Sequence, residues 1–276
     1  MLEPIQKITP RAIGADVDIL SSFYPVPGLG LLPINAFVLR AKEPVLVDTG
    51  YVAGSAAYLD AVRTAIDPRD LRWIWLTHAD PDHIGALRDV LAEAPSARLV
   101  TTFLGLGKLG LYGPIAPERV FLLNPGQSLD VGDRKLLALR PPTYDAPETT
   151  AFFDPSTRTL FSSDSFGAVL SKPVESANEL GSNALRDGEV TWATIDSPWL
   201  GALETPPFER TLSSVRALAP ERVLSTHLPP AFGILDTLLD NVRAARSVPP
   251  FVGPDQPAFA RLLAPAPPPA PEPLHA

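Results

Sequence analysis

The sequence predicts an α/β protein with two β-sheets and with helices on their outer faces. Each half of the 276-residue chain contains a predicted β-hairpin, at residues 35–47 and 149–162. Both hairpins consist of short apolar runs on either side of a polar turn, which is typical of paired strands. Amphipathic helices are predicted at about 55–66 and 207–218, where apolar residues recur with a helical period. Hairpins and helices therefore alternate in two similar halves.

The composition is that of a globular protein without a nucleic-acid or membrane partner. Hydrophobic residues make up 45% and charged residues 20%, which is ordinary for such a protein. The net charge of −8 and the lack of a dense Lys/Arg run argue against nucleic acid. No apolar stretch reaches the roughly 18 residues that a membrane span needs, and the N-terminus lacks a signal-peptide pattern. The absence of cysteine excludes disulfides and thiolate metal sites. We therefore expect a cytoplasmic protein.

Proline marks the predicted end of the folded domain. The chain has 33 prolines, and they are densest from residue 248 onward. A proline-rich run favours polyproline II and lacks the backbone donors that a sheet needs. We therefore predict a folded domain over 1–250 and a flexible, proline-rich tail over 251–276. His275, one of four histidines, lies in this tail and is not expected in a site.

A polar loop rich in metal-binding residues follows a predicted strand at residues 72–77. It contains His78, Asp80, Asp82 and His83, and a helix is predicted over 84–94. A loop between a strand and a helix lies at the carboxyl end of the strand, a usual position for ligands. Neutral imidazole and carboxylate groups bind metals, so the loop can contact two ions if its side chains splay.

The order of residues 78–83 resembles the H-x-H-x-D-H signature of the metallo-β-lactamase fold, with Asp80 at the middle histidine. A carboxylate there is typical of flavodiiron proteins and of their flavin-free relatives, the oxygen-binding diiron proteins. Residues 45–50, 162–167 and 224–227 resemble three further segments of this family, in the same order, so the resemblance covers about 30–235. It implies an αββα sandwich of two mixed β-sheets flanked by helices.

The resemblance also implies a dinuclear metal centre. Its first metal would be bound by His78 and Asp80, and its second by Asp82, His83 and His227. Asp164 would bridge the two ions.

The remaining ligand of the first metal is a histidine in the family, but residues 140–148 contain none. Aligning Pro147 and Glu148 with the family's Pro-Asp pair puts Asp145 in its place, with Glu148 and Tyr144 as competitors. An oxygen-rich set of this kind favours iron or manganese over zinc. We also expect Asn35, Ser163 and Thr226 to orient the ligands, and Asp48 to hold the loop by hydrogen bonds.

Three functions remain open, and a diiron oxidoreductase is preferred. Such a site binds or reduces dioxygen or nitric oxide, with Asp82 and Asp164 at the reacting centre. No flavin domain is expected, so the electrons would come from a separate donor protein. The first alternative is a metal-dependent hydrolase of an ester, lactone or phosphodiester, which uses a metal-bridging hydroxide. The second is a diiron oxygen sensor or binding module. The polar segment 168–207 is expected to be loop-rich and to cover the cleft or form a dimer contact, and the resemblance implies a homo-oligomer.

Overall fold

The computed structural model describes residues 7–263, which form two β-sheets and seven α-helices. The strands of the first sheet are β1 (Arg11–Ala12), β2 (Val17–Val26), β3 (Gly30–Leu39), β4 (Val45–Val47), β5 (Trp73–Trp75), β6 (Arg98–Thr101) and β7 (Val120–Leu122). Those of the second are β8 (Ser128–Asp130), β9 (Lys135–Leu139), β10 (Ala151–Asp154), β11 (Thr159–Phe161), β12 (Arg222–Leu224) and β13 (Ala231–Phe232). The helices are α1 (Ser55–Ala65), α2 (Leu87–Glu93), α3 (Phe103–Gly110), α4 (Ser182–Asp196), α5 (Thr205–Leu218), α6 (Leu235–Ala245) and α7 (Gln256–Leu263).

Both sheets are mixed. In the first sheet, β1 to β4 are antiparallel neighbours, and β4 to β7 are parallel. In the second sheet, β11 and β12 are parallel, and every other neighbouring pair is antiparallel. With helices against their outer faces, these sheets confirm the predicted αββα architecture.

The pleat of the strands divides the core into three layers. Val47 and Trp75 point into the cluster between the two sheets, where Trp75 packs on Phe152 with ring centroids 4.4 Å apart. Leu46 and Ile74 alternate with them and face the cluster that contains side chains of α1 and α2. A third cluster joins the outer face of the second sheet to α4, α5 and α6. Successive residues of a strand point to opposite faces, so these short apolar runs fill two layers at once.

The structure corrects two helix predictions. Segment 168–207, expected to be loop-rich, contains the 15-residue helix α4. Its outer face is polar and only a few residues such as Leu185 and Ala193 enter the core, so the apolar period is too sparse to predict the helix. The helix after the loop at residues 78–83 begins at Leu87 rather than at 84, because Gly85 N–H donates to Gly50 O and ties the preceding turn to another loop.

The C-terminal boundary stays a prediction. Helix α7 lies within the segment 251–276 that we expected to be a flexible tail. The rest of that segment, with His275, lies outside the described residues. Within residues 7–263, no helix combines the length and the apolar character that a bilayer span requires.

Gly50 fixes the loop after β4, and Gly50→Ala is expected to destabilise the protein by about 3 kcal/mol or more. Its φ of +70° is left-handed, and a Cβ at this position would lie 2.3 Å from the ring of the fully buried Tyr58. Left-handed backbone and overpacking each cost about 1–3 kcal/mol. Gly126→Ala is the control, because Gly126 has a φ of +90° but no neighbour within 4 Å of the added carbon. Urea unfolding should show a clearly larger loss for Gly50→Ala, and equal losses would contradict the steric argument.

Candidate metal centre

The candidate site lies where two pairs of parallel strands end. His78 comes three residues after β5, Asp164 three residues after β11, and His227 three residues after β12. Because β4 is parallel to β5 and β11 is parallel to β12, the loops that follow these strands meet at one edge of the sandwich. The loop between β9 and β10 brings Asp145 to the same place.

Two loop residues hold strained backbone at this edge. Asp48 has a φ of 55° and Ser163 a φ of 54°, although neither is glycine. Such conformations cost free energy and are concentrated at functional sites. Ser163 immediately precedes Asp164, and Asp48 contacts the imidazole of His83. The strain therefore falls on residues that shape the cluster.

Asp164 lies at the centre of the cluster, with its two oxygens directed at different histidines. Its Oδ2 is 3.3 Å from Nε2 of His78. Its Oδ1 is 3.1 Å from Nε2 of His83 and 3.3 Å from Nε2 of His227. One carboxylate thus divides the three histidines into two sets, as expected of a bridging ligand.

The other carboxylates extend these two sets. Asp82 lies 3.4 Å from Nε2 of His227 and 3.8 Å from Nε2 of His83. Oδ1 of Asp145 lies 3.8 Å from Nε2 of His78. Asp80 completes this set, because ligand atoms of His78, Asp80 and Asp145 all lie within 4.8 Å of one another. The structure therefore brings together all seven residues that the sequence singled out.

The two competitors of Asp145 have other contacts. Tyr144 donates its backbone N–H to Ser197 Oγ at 2.9 Å, and its ring packs on Trp199. Glu148 is buried and forms an ion pair with Lys108. Within residues 7–263, Glu148 belongs to no group of histidine and acidic side chains with metal-ligand spacing, whereas Asp145 does.

The donor atoms suit a metal ion. Nε2 of His83, Nε2 of His227 and Oδ1 of Asp164 are buried and have no hydrogen-bond partner among the described residues. Buried polar atoms without partners cost about 1–3 kcal/mol each. A cation between these nitrogens and oxygens would satisfy all three atoms, so imidazole and carboxylate groups in this arrangement fit divalent metals.

Each histidine ring is held by its other nitrogen. Nδ1 of His83 lies 2.9 Å from Asp48 Oδ2, and Nδ1 of His227 lies 2.8 Å from Pro33 O. Nδ1 of His78 lies 3.3 Å from Ser163 Oγ. Contacts of this kind fix the ring orientation and leave Nε2 free for a metal.

Asn35, Thr226 and Asp48 hold the backbone around these rings. The amide of Asn35 donates to Ser225 O at 2.9 Å and to Leu228 O at 2.8 Å, on either side of His227. Thr226 Oγ1 donates to Asp48 Oδ2 at 3.4 Å. Asp48 also accepts from the backbone N–H of Thr77 at 2.8 Å, as expected of a residue that holds the loop.

For His83, His227 and Asp164, the charges of neighbouring side chains together outweigh burial and set the direction of the pKa shift. Burial by itself would lower the pKa of His83, but Asp164, Asp48 and Asp82 outweigh burial and raise it well above the usual histidine value. Burial likewise acts to lower the pKa of His227, and Asp164 raises it. Burial acts to raise the pKa of Asp164, whereas the three imidazoles hold it well below the usual range. Without metal, the cluster therefore favours the protonated rings of His83 and His227.

Two residues at the site were not identified from the sequence. Lys108 on α3 forms ion pairs with Asp80 and with Glu148, the latter at 2.9 Å. Asp196 is the last residue of α4, and one of its oxygens lies within 4.8 Å of ligand atoms of Asp145 and Asp164. Burial, followed by the charges of Asp164 and Asp145, raises the pKa of Asp196 well above the usual range.

Known proteins are similar to this chain in part of their sequence and in their fold. A diflavin flavoprotein A 1 of Synechocystis sp. is 31% identical over 134 residues, which cover 48% of this chain and 23% of that protein. An anaerobic nitric oxide reductase flavorubredoxin of Salmonella typhi is 28% identical over 134 residues, which cover 48% of this chain and 28% of that protein. The chain therefore spans about a quarter of the length of these two relatives.

A solved structure extends the similarity of the fold. The rubredoxin oxygen:oxidoreductase of Desulfovibrio gigas superposes on 87% of this chain and 61% of its own length, with a TM-score of 0.75 and 16% identity. At this identity the match shows the fold alone. The sequence model of the family described as ODP family beta lactamase matches residues 32–185, which is more than half of the chain. The chain therefore belongs to the ODP family of beta-lactamase-like proteins.

Proposed function

We propose that the chain is a diiron oxidoreductase module that binds two iron ions and reduces dioxygen or nitric oxide with electrons from a separate donor protein. The observation that carries this proposal is the placement of Asp164, whose two oxygens face two different sets of histidine and aspartate side chains. The names of the relatives support the choice of reaction, since they include a nitric oxide reductase and an oxygen:oxidoreductase.

The seven cluster residues would bind the two ions in two sets. His78, Asp80 and Asp145 would hold the first ion, and Asp82, His83 and His227 would hold the second. Asp164 would be shared by both sets. The first set has a single nitrogen donor, and hard carboxylate oxygens favour iron or manganese over zinc. The predicted preference for iron therefore follows from the residue types that the fold brings together.

A ferrous pair at this site would supply electrons to dioxygen or nitric oxide. The chain excludes water from the three histidine ligands and leaves the side of the cluster at Asp82 and Asp145 open to solvent. The side chains of the three histidines are at most 1% exposed, whereas those of Asp82 and Asp145 are 32% and 37% exposed. A small molecule would therefore enter beside Asp82 and Asp145. Repeated turnover consumes more electrons than two ferrous ions hold, which is why we propose an external donor. We also propose that the chain forms a homo-oligomer, on the basis of the family resemblance.

Oxygen and nitric oxide uptake test the proposal. Protein from iron-supplemented cells is purified without air, its metals are counted, and each gas is then added with and without a chemical reductant. We expect about two irons per chain, a new visible or near-ultraviolet band on exposure to oxygen, and continued gas consumption with reductant. Two zinc ions together with turnover of an ester or phosphodiester would instead establish a hydrolase. Iron that binds oxygen reversibly, without consuming it, would indicate a sensor or binding module.

Asp145→Ala is expected to lower the metal content from about two ions to about one per chain. The substitution removes a carboxylate from the set around His78 and leaves Asp82, His83 and His227 intact. Metal analysis after passage over a chelating resin measures the loss. Asp145→His is the matched variant, because it restores a nitrogen donor; it should keep two ions and bind zinc more tightly than the wild type does. Two tightly held ions in Asp145→Ala would remove Asp145 from the ligand set.

A further inference from the structure

Asp196 occupies a position that is unfavourable for a carboxylate in the absence of a cation. It is the last residue of α4, where the free carbonyl groups carry partial negative charge and repel anions. It is 7% exposed, and one of its oxygens lies within 4.8 Å of ligand atoms of both Asp145 and Asp164. Three carboxylates in such proximity repel one another in a medium that screens charge poorly.

The protein offers little to offset this repulsion. Ser197 Oγ donates to Asp196 Oδ2 at 2.9 Å, and no other hydrogen bond to this carboxylate is formed within residues 7–263. No Lys or Arg among these residues forms an ion pair with it, whereas Asp80 has Lys108. A buried carboxylate is normally paired with a cation or coordinates a metal. Because no Lys or Arg of residues 7–263 pairs with Asp196, we expect a bound metal ion to be its partner.

The turn of α4 that carries Asp196 is anchored to the cluster. Trp192, one helical turn earlier, donates its Nε1–H to the backbone oxygen of Asp164 at 3.0 Å. Its ring also packs on that of His227, with centroids 4.5 Å apart. Ser197 Oγ accepts the backbone N–H of Tyr144 and so ties the same end of α4 to the loop that carries Asp145. The position of Asp196 is therefore fixed with respect to the proposed ligands.

The first metal set is short of donors without Asp196. Lys108 holds one oxygen of Asp80, which leaves the other oxygen for a metal. His78, Asp80, Asp145 and one oxygen of Asp164 then supply four donors, whereas manganese and similar ions in carboxylate sites prefer six. Asp164, which lies within 4.8 Å of ligand atoms of Asp145 and Asp196, also has a buried Oδ1 without a hydrogen-bond partner among the described residues, and this independently indicates that the cluster holds a cation. We propose that Asp196 is a further ligand of the first metal ion, an assignment that rests on the proposed dinuclear site.

Manganese titration of metal-free protein tests this assignment. Asp196→Ala and Asp196→Asn are compared with the wild type by calorimetry and by the manganese electron paramagnetic resonance spectrum. We expect the weaker of the two binding steps to lose at least tenfold in affinity in both variants, and the other step to stay within about twofold. Asp187→Ala is the matched control, since Asp187 is an exposed acidic residue of the same helix; it should bind manganese as the wild type does.

Thermal unfolding provides a second readout that a purely structural role would not give. Both Asp196 variants should melt at a higher temperature than the wild type when metal-free, because a repelling carboxylate is gone, and should gain less on addition of manganese. Asparagine keeps the shape and the contact with Ser197, so wild-type affinity in Asp196→Asn would overturn the assignment. Unchanged manganese affinity in both variants, with two ions bound to the wild type, would overturn only this inference. A wild type that binds no metal would instead refute the proposed function.

Discussion

Asp164→Asn is expected to abolish stable binding of both metal ions. Each oxygen of Asp164 faces a different set of proposed ligands, so one substitution removes the negative charge that both ions share and the donor oxygen of one of them. An amide has one oxygen, and its NH₂ group would point at one of the two sets. Loss of a group that only supports a ligand already costs about 10–100-fold in metal affinity, and loss of a shared ligand should cost at least about 100-fold per ion. Competition with a coloured chelator measures both affinities.

Asp154→Asn separates this effect from the general cost of altering a buried aspartate. Asp154 is fully buried at the end of β10, where its carboxylate accepts from Arg134 at 3.0 Å and from Thr157 Oγ1 at 2.9 Å. Breaking a buried ion pair of this kind typically costs about 3–5 kcal/mol. We therefore expect Asp154→Asn to be less stable but to retain two ions. Retention of two ions by Asp164→Asn would show that Asp164 does not bridge them.

The strands were predictable because their patterns are local. A run such as Val45-Leu46-Val47 has apolar side chains on both faces, which is typical of a central strand. In the structure each face packs against a hydrophobic cluster. Helices α1 and α5 were predictable for the same reason, since each has one continuous apolar face. Helix α4 has few buried apolar residues and a buried Glu189, so its amphipathic pattern is weak. Helix α4 is held in position by packing against α6, and this contact cannot be inferred from the sequence of either segment alone.

The cluster was predictable where its residues follow strands. His78, Asp164 and His227 stand at equal distances after strand ends, and the order of residues around them carries the family resemblance. Asp145 required an alignment of its neighbours, and its position beside His78 agrees with that alignment. Lys108 and Asp196 lie on helices without any motif. They reach the site only through tertiary packing, so the ion pair with Asp80 and the third carboxylate near Asp164 had no signal in the sequence.

Removal of both metals is expected to lower the stability of the protein by about 8 kcal/mol at neutral pH. An ion present at about 1,000 times its dissociation constant contributes about 4 kcal/mol, and the two sites contribute separately. For a domain of this size such a change corresponds to a fall in melting temperature of about 15–30 °C. The loss follows from the structure, because Asp164, His83 and His227 are then left with buried atoms that have no partner.

The stability of the protein should change with pH in opposite directions in the metal-free and the metal-loaded form. In metal-free protein the pKa values of His83 and His227 are raised above 6.5, their ordinary value in the unfolded chain. The protonated rings pair with Asp164, and this pairing contributes its full stabilisation when the pH is below 6.5. This stabilisation is lost as pH rises through the folded pKa values. Burial, together with the charge of Asp164, raises the pKa values of Asp145 and Asp196, so ionisation of these carboxyls as pH rises destabilises the fold in the same direction. Metal-free protein should therefore melt at a lower temperature at pH 8 than at pH 6.

Metal-loaded protein should become more stable over the same interval. Metals bind the neutral imidazoles of His83 and His227, so protons compete with metal at low pH and the competition fades as pH rises. Melting curves from pH 6 to pH 9, with excess iron or manganese and with chelator, would measure both slopes. Asp164 does not contribute to the change between pH 6 and pH 9. Its pKa is lowered, so the stability that its carboxylate contributes is lost only below about pH 4. Parallel curves for the two forms would contradict the exchange of protons for metal at His83 and His227. Curves that diverge as pH rises would show that the histidine protons and the metal ions occupy the same nitrogens.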